Sequence, residues 1–92
     1  MSLLTIVAAS AGTLESSDCL VTVVPAEVDG IRYEGANRAI FLNRTEKIAR
    51  EIMERYPIEN ASIRIQDQGA LEVTLRARIE TAVERALEGA RQ

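Results

Sequence analysis

The sequence predicts an α+β fold, a two-layer sandwich with a mainly antiparallel four-stranded sheet and two helices on one face, in the order β-β-β-α-β-α. Three observations predict it. Four short segments cluster or alternate β-branched and aliphatic residues at the two-residue period of a strand. Two longer segments repeat apolar residues every three or four positions, the period of a helix. The strand alternation leaves one side polar, which suits a sheet wet on one face and covered on the other. Residues 1–92 read as a single domain, because a chain of 92 residues has no room for a second core.

Residues 3–9, LLTIVAA, are aliphatic and β-branched and read as the first strand, with Gly12 ending the run. Residues 19–25, CLVTVVP, give the second strand, closed by Pro25, which has no N–H for a ladder. Asp29-Gly30 is a turn signal, and Ile31-Arg32-Tyr33-Glu34 alternates as a half-solvated third strand. In the fourth, residues 61–67, Ala61, Ile63 and Ile65 point one way and Ser62, Arg64 and Gln66 the other.

The first helix carries Phe41, Ile48, Ala49, Ile52, Met53 and Tyr56 on one stripe, and Pro57 stops it. Asn43 with Glu46 would make a capping box for a short version. Asn37 would cap a longer one that takes in residues 38–42, and the longer version is favoured. The second helix spans Ala70 to Glu88, with Leu71, Leu75, Ile79, Ala82, Val83, Ala86 and Leu87 on its apolar face and Gly89 at its end.

Composition narrows the chemistry. Eleven basic against fourteen acidic residues give a net charge of −3, which argues against nucleic acid as a partner, since counterion release needs a basic face. A single cysteine, Cys19, forms no intrachain disulfide and fits a reducing cytoplasm. The apolar start MSLLTIVAAS is too short to span a membrane and lacks a basic segment, so it is read as strand, not signal peptide. There is no histidine, which removes Ser-His-Asp and Cys-His catalysis and the commonest metal ligand. Cys19 lies within an apolar strand, where a buried inert thiol is expected. Glu84 and Glu88 sit four apart on an exposed helix face, a solvated pair. No catalytic residue and no metal site emerge.

What stands out is residues 11–18, AGTLESSD, a polar connection with two adjacent hydroxyls between two aliphatic runs. Together with residues 67–72, DQGALE, and the helical RARIETAVERA of residues 76–86, it resembles the acyl carrier (gamma) subunit of citrate lyase. That family's first block reads close to A-G-T/S-L-E-S-G/S-D, its second close to D-K-G-A-L-D with R-A-R-x-E in the helix that follows. The resemblance covers roughly residues 9 to 87, the middle only weakly. Gln68 stands for the pattern's Lys, Glu72 for its second Asp, and Val73 for a frequent Cys.

The resemblance implies a non-catalytic carrier subunit working with the alpha and beta subunits of citrate lyase and with a prosthetic-group transferase. It implies covalent 2'-(5''-phosphoribosyl)-3'-dephospho-coenzyme A, joined through a phosphodiester to a serine hydroxyl, whose thiol bears acetyl and citryl groups while citrate is cleaved to acetate and oxaloacetate. The E-S-x-D portion puts that serine at Ser16, with Ser17 as second choice; glycine fills the latter place in many relatives. Glu15 and Asp18 flank the hydroxyl as candidates for partner contact or for accepting turn amides. Asp67 is expected to cap the last helix, with cofactor phosphate as the other reading. Arg76 is expected to pair with Glu72 or Glu80, and Arg78 to pack its stem while its guanidinium reaches out, with contact to phosphate or a partner as the other reading. The other readings are the carrier of malonate decarboxylase, whose serine block usually resembles G-S-G-D, and a plain interaction module of the same fold.

Overall fold

The computed structural model describes residues 6–90. Their elements follow the expected order: β1 (Ala9–Gly12), β2 (Cys19–Pro25), β3 (Gly30–Gly35), α1 (Arg38–Arg55), β4 (Ala61–Asp67) and α2 (Glu72–Ala90). The sheet runs β1-β2-β4-β3. The pairs β1–β2 and β2–β4 are antiparallel, and β3–β4 is parallel. α1 is the crossover that two adjacent parallel strands require.

Register puts the alternating apolar residues in rows on one face. Val21, Ile65 and Tyr33 lie side by side, as do Val23, Ile63 and Ile31. Against them pack Ile48, Ala49 and Ile52 of α1 and Leu75, Ile79, Ala82, Val83 and Ala86 of α2. The other face carries Thr22, Arg64 and Arg32 across the same three strands. There Arg64 forms a forked pair with Glu34 (2.8 and 3.1 Å). The two helices are also linked along their exposed sides by Arg76–Glu51 (3.5 Å) and Arg55–Glu80 (3.8 Å), contacts worth little in water.

Several boundaries differ from the sequence reading, each for a physical reason. Of the strand expected at residues 3–9, residues 6–8 are unpaired: pairing among the described residues starts at Ala9, opposite Val23, and runs to Gly12. Continuing the register backward would set Val7 opposite Pro25, which has no N–H to give. The chain instead turns onto α2, where the Val7 amide donates to the Ala86 carbonyl (3.2 Å) and Ile6 is buried. Residues 3–5 lie outside the described residues.

Gly89 does not end the second helix, which continues to Ala90. A side chain at Gly89 would collide with Val7, so the glycine allows a close approach there. The helix starts at Glu72, two residues later than expected, and Leu71 is 71% exposed, off the apolar face. α1 takes the longer form, beginning after Asn37. The Asn37 carbonyl accepts from the amides of Ile40 and Phe41 (both 3.0 Å), while its side chain makes no capping bond.

Candidate functional site

The connection of residues 13–18 closes the β1–β2 hairpin, and its shape follows from two residues in left-handed backbone. Gly12 has φ +96°, and the Thr13 amide donates to the Cys19 carbonyl (3.2 Å) across the mouth of the loop. A Cβ at Gly12 would run into that same carbonyl, so only glycine closes the hairpin here. Ser17 has φ +65°, a conformation costly for most residues other than glycine. A glycine, which the resemblance allows at this position, would adopt that conformation without strain. The conformation of Ser17 is sustained because its amide donates to the Gln68 carbonyl and the Gln68 amide donates to the Asp18 carbonyl, both at 2.8 Å. The loop thus rests on the β4–α2 connection.

Asp18 is the knot. Its carboxylate accepts from Nε and an Nη of Arg78 (2.9 and 3.0 Å), from the Thr13 hydroxyl (2.8 Å) and from the Cys19 amide (2.7 Å). The forked Arg78 contact, with Thr13 and the amide behind it, holds this carboxyl far below the usual carboxylate range and raises Arg78 in turn. Arg78 therefore turns to Asp18 rather than outward, and its stem lies beside Gly12. Glu15 contributes main chain: its amide donates to the Thr13 hydroxyl (3.1 Å), its carbonyl accepts from the Asp18 amide (3.2 Å), and its side chain stays exposed. Ser16 and Ser17 are both exposed at the crest.

Asp67 does not cap α2. Its Oδ1 accepts from the amides of Gly69 (3.1 Å) and Ala70 (2.8 Å), a turn ahead of the helix, and Oδ2 accepts from the Tyr33 hydroxyl (2.6 Å). At 7% exposure, with both oxygens taken, it organises the turn that carries Gln68. Burial and the neighbouring carboxylate push the Tyr33 hydroxyl well above its ordinary range. Arg76 pairs with Glu72 one turn away (3.2 Å). The long-range pairs Asp18–Arg78 and Tyr33–Asp67 escaped the sequence reading, since only the joint presence of the two resemblance blocks hinted that they meet.

Cys19 is fully buried, and desolvation, with the two nearby aspartates, pushes its thiol up to about 11. A thiol-specific reagent at pH 8 is expected to leave the folded protein untouched and to react fully in denaturant. The unfolded chain releases this proton near 9.0 and the folded one near 11, so the contribution is whole below pH 9 and shrinks as pH rises toward 11. Cys19→Ala should flatten denaturation midpoints between pH 9 and 10, and an unchanged slope would place the titration elsewhere. Among the described residues no cluster of three or more His, Cys, Asp or Glu is placed to hold a metal ion. No helix there is long and apolar enough to cross a membrane. The arrangement presents a hydroxyl on a tightly anchored loop, and Asp18, two residues from Ser16 and tied to Arg78, is a weak base in this environment.

Comparison with known proteins shows the family. The profile of the family described as malonate decarboxylase delta subunit (MdcD) matches residues 7–86. The chain is 45% identical over 82 residues to the citrate lyase acyl carrier protein of Escherichia fergusonii, covering 87% of this chain and 84% of that one. It is 43% identical over 86 residues to that of Halothermothrix orenii (91% and 90% covered) and 39% over 77 residues to that of Treponema denticola (84% and 88%). Loop, anchoring turn and the last helix as far as Ala86 fall within the matched residues, and the chain belongs to the acyl carrier protein family that takes in the citrate lyase acyl carrier protein and the malonate decarboxylase delta subunit.

Proposed function

We propose that the protein is the acyl carrier subunit of a citrate lyase and that the Ser16 hydroxyl anchors its prosthetic group, 2'-(5''-phosphoribosyl)-3'-dephospho-coenzyme A, through a phosphodiester. The observation that carries the reading is the pairing of an exposed Ser16 with a loop fixed at its base by Asp18–Arg78 and by the Gln68 main chain. A carrier needs such a site: open for loading and held on a rigid scaffold. The group fits the residues present, because attachment asks only for an accessible hydroxyl. Once bound it supplies a thiol for acyl groups, which a chain with a buried cysteine and no histidine does not possess. The base that takes the Ser16 proton comes from the loading transferase. Leu14, Leu71 and Val73 are 54%, 71% and 70% exposed on the loop and on the segment after the anchoring turn, offering apolar contacts to that enzyme and to the lyase subunits.

Ser17 is the poorer acceptor. Its left-handed backbone and its amide bond to Gln68 make it part of the loop's frame. Co-production with the transferase and intact-mass measurement tests the assignment. A gain of one prosthetic group is expected in the native chain and in Ser17→Gly, and none in Ser16→Ala. No gain in the native chain, or a gain that follows position 17, overturns it.

The family description favours a second reading, the carrier of malonate decarboxylase. The loaded, acetylated protein supplied with each set of catalytic subunits separates them, with cleavage of citrate expected and decarboxylation of malonate as the contrary result.

A further inference from the structure

We propose that the cleft at the C-terminal ends of β3 and β4 receives the adenine nucleoside of the group anchored at Ser16, while the thiol-bearing end stays outside. This rests on the reading of Ser16 given above. The cleft has a volume of about 480 Å³, within the range of about 300–1,000 Å³ common to small-molecule sites. It opens between the β3–α1 and β4–α2 connections, and crevices at the carboxyl ends of parallel strands are where such folds bind ligands. Gln68 belongs to both places: it lines the cleft, and its carbonyl holds the Ser17 amide at 2.8 Å. A group on Ser16 therefore starts at the cleft's rim.

The lining selects the part of the group that enters. Phe41 offers an aromatic wall, with the Arg44 guanidinium 4.4 Å from its ring centre. Asn37, Gln66 and Gln68 line the same space, and their side-chain amides have no partner among the described residues. Each such amide presents a donor and an acceptor together, which matches the N6 and N7 edge of adenine. Among the described residues no lysine or arginine lines the cleft, whereas Glu34 and Asp67 do. Its lining thus disfavours a diphosphate and suits an uncharged base and sugar. The covalent order agrees: one phosphate and one ribose separate the serine oxygen from adenosine, and the diphosphate and pantetheine thiol lie beyond it.

Tethering supplies a millimolar effective concentration, so even affinity of about 1 mM for the free nucleoside suffices. The test is an amide-resolved NMR titration of the unloaded chain with adenosine, dephospho-coenzyme A and pantetheine in turn. The first two are expected to shift Gly35, Ala36, Gln66, Gln68 and Gly69, and pantetheine to leave them in place. Phe41→Leu, which keeps the bulk and loses the ring, should weaken adenosine about tenfold, a typical loss for base–aromatic stacking. Gln68→Ala, at an exposed position, should weaken it several-fold without touching stability. Shifts scattered over the surface, shifts produced by pantetheine instead, or affinity unmoved by both variants would overturn the proposal. If the mass shows Ser16 loaded and the cleft amides keep their unloaded positions, the cleft proposal fails and the anchor stands. If adenosine binds the cleft and loading never occurs, the reverse holds.

Discussion

Gly12→Ala should lower stability by about 3 kcal/mol, the sum of left-handed backbone strain and a forced collision. For a domain of this size that is a large share of a total of about 5–10 kcal/mol, and the melting temperature should fall by more than about 12 °C. Both causes are visible at this position: φ is +96°, and the added Cβ meets the Cys19 carbonyl, the acceptor that closes the loop onto Thr13. Two other glycines separate the causes. Gly69 also has positive φ, +91°, but a Cβ there meets nothing within 4 Å, so Gly69→Ala should cost about 1 kcal/mol from backbone alone. Gly30 has neither problem, and Gly30→Ala should change stability by less than about 0.5 kcal/mol. Thermal denaturation of the three variants should give this order. Equal losses at positions 12 and 69 would mean that the Cys19 carbonyl moves freely aside.

The second large effect is expected at Asp67. Asp67→Ala strands a buried Tyr33 hydroxyl and the turn amides of Gly69 and Ala70 together, at about 1–3 kcal/mol for each buried group left unpaired. A loss of about 3 kcal/mol in denaturant titrations is expected. Tyr33→Phe alone should cost about 1 kcal/mol, since it removes one donor and leaves the carboxylate its two amides. The double variant should cost less than the sum of the singles, because the hydroxyl stranded by the first change is absent in the second. Additive losses would show that the 2.6 Å bond contributes nothing as a pair.

Element types were legible because each buries a patterned face. Ala61, Ile63 and Ile65 are fully buried, as their alternation requires, and Ile48, Ala49, Ile52 and the Leu75–Ala86 stripe pack where helical spacing puts them. Errors fell where the pattern carries no phase. Residues 3–9 are apolar at nearly every position, so nothing there marks where pairing begins; Pro25 on the partner strand decides that. Leu71 looked like part of the helical stripe, yet the Asp67 turn delays the helix and turns Leu71 to solvent. The parallel pairing of β3 with β4 left no local trace, since alternation is the same in either direction. Within the site, Asp18 and Arg78 were each singled out but not joined, because they lie sixty residues apart and neither has a neighbour that demands the other.

That separation has a consequence for when the crest around Ser16 exists at all. Its curvature depends on a guanidinium that the ribosome adds sixty residues after Asp18, and on an anchoring turn finished only shortly before that. A growing polypeptide still lacking those parts exposes the same six side chains on a slack tether. On the reading of Ser16 proposed above, a loading enzyme that recognises the curved form would pass over copies cut short before Arg78, and the prosthetic group would go only to folded chains.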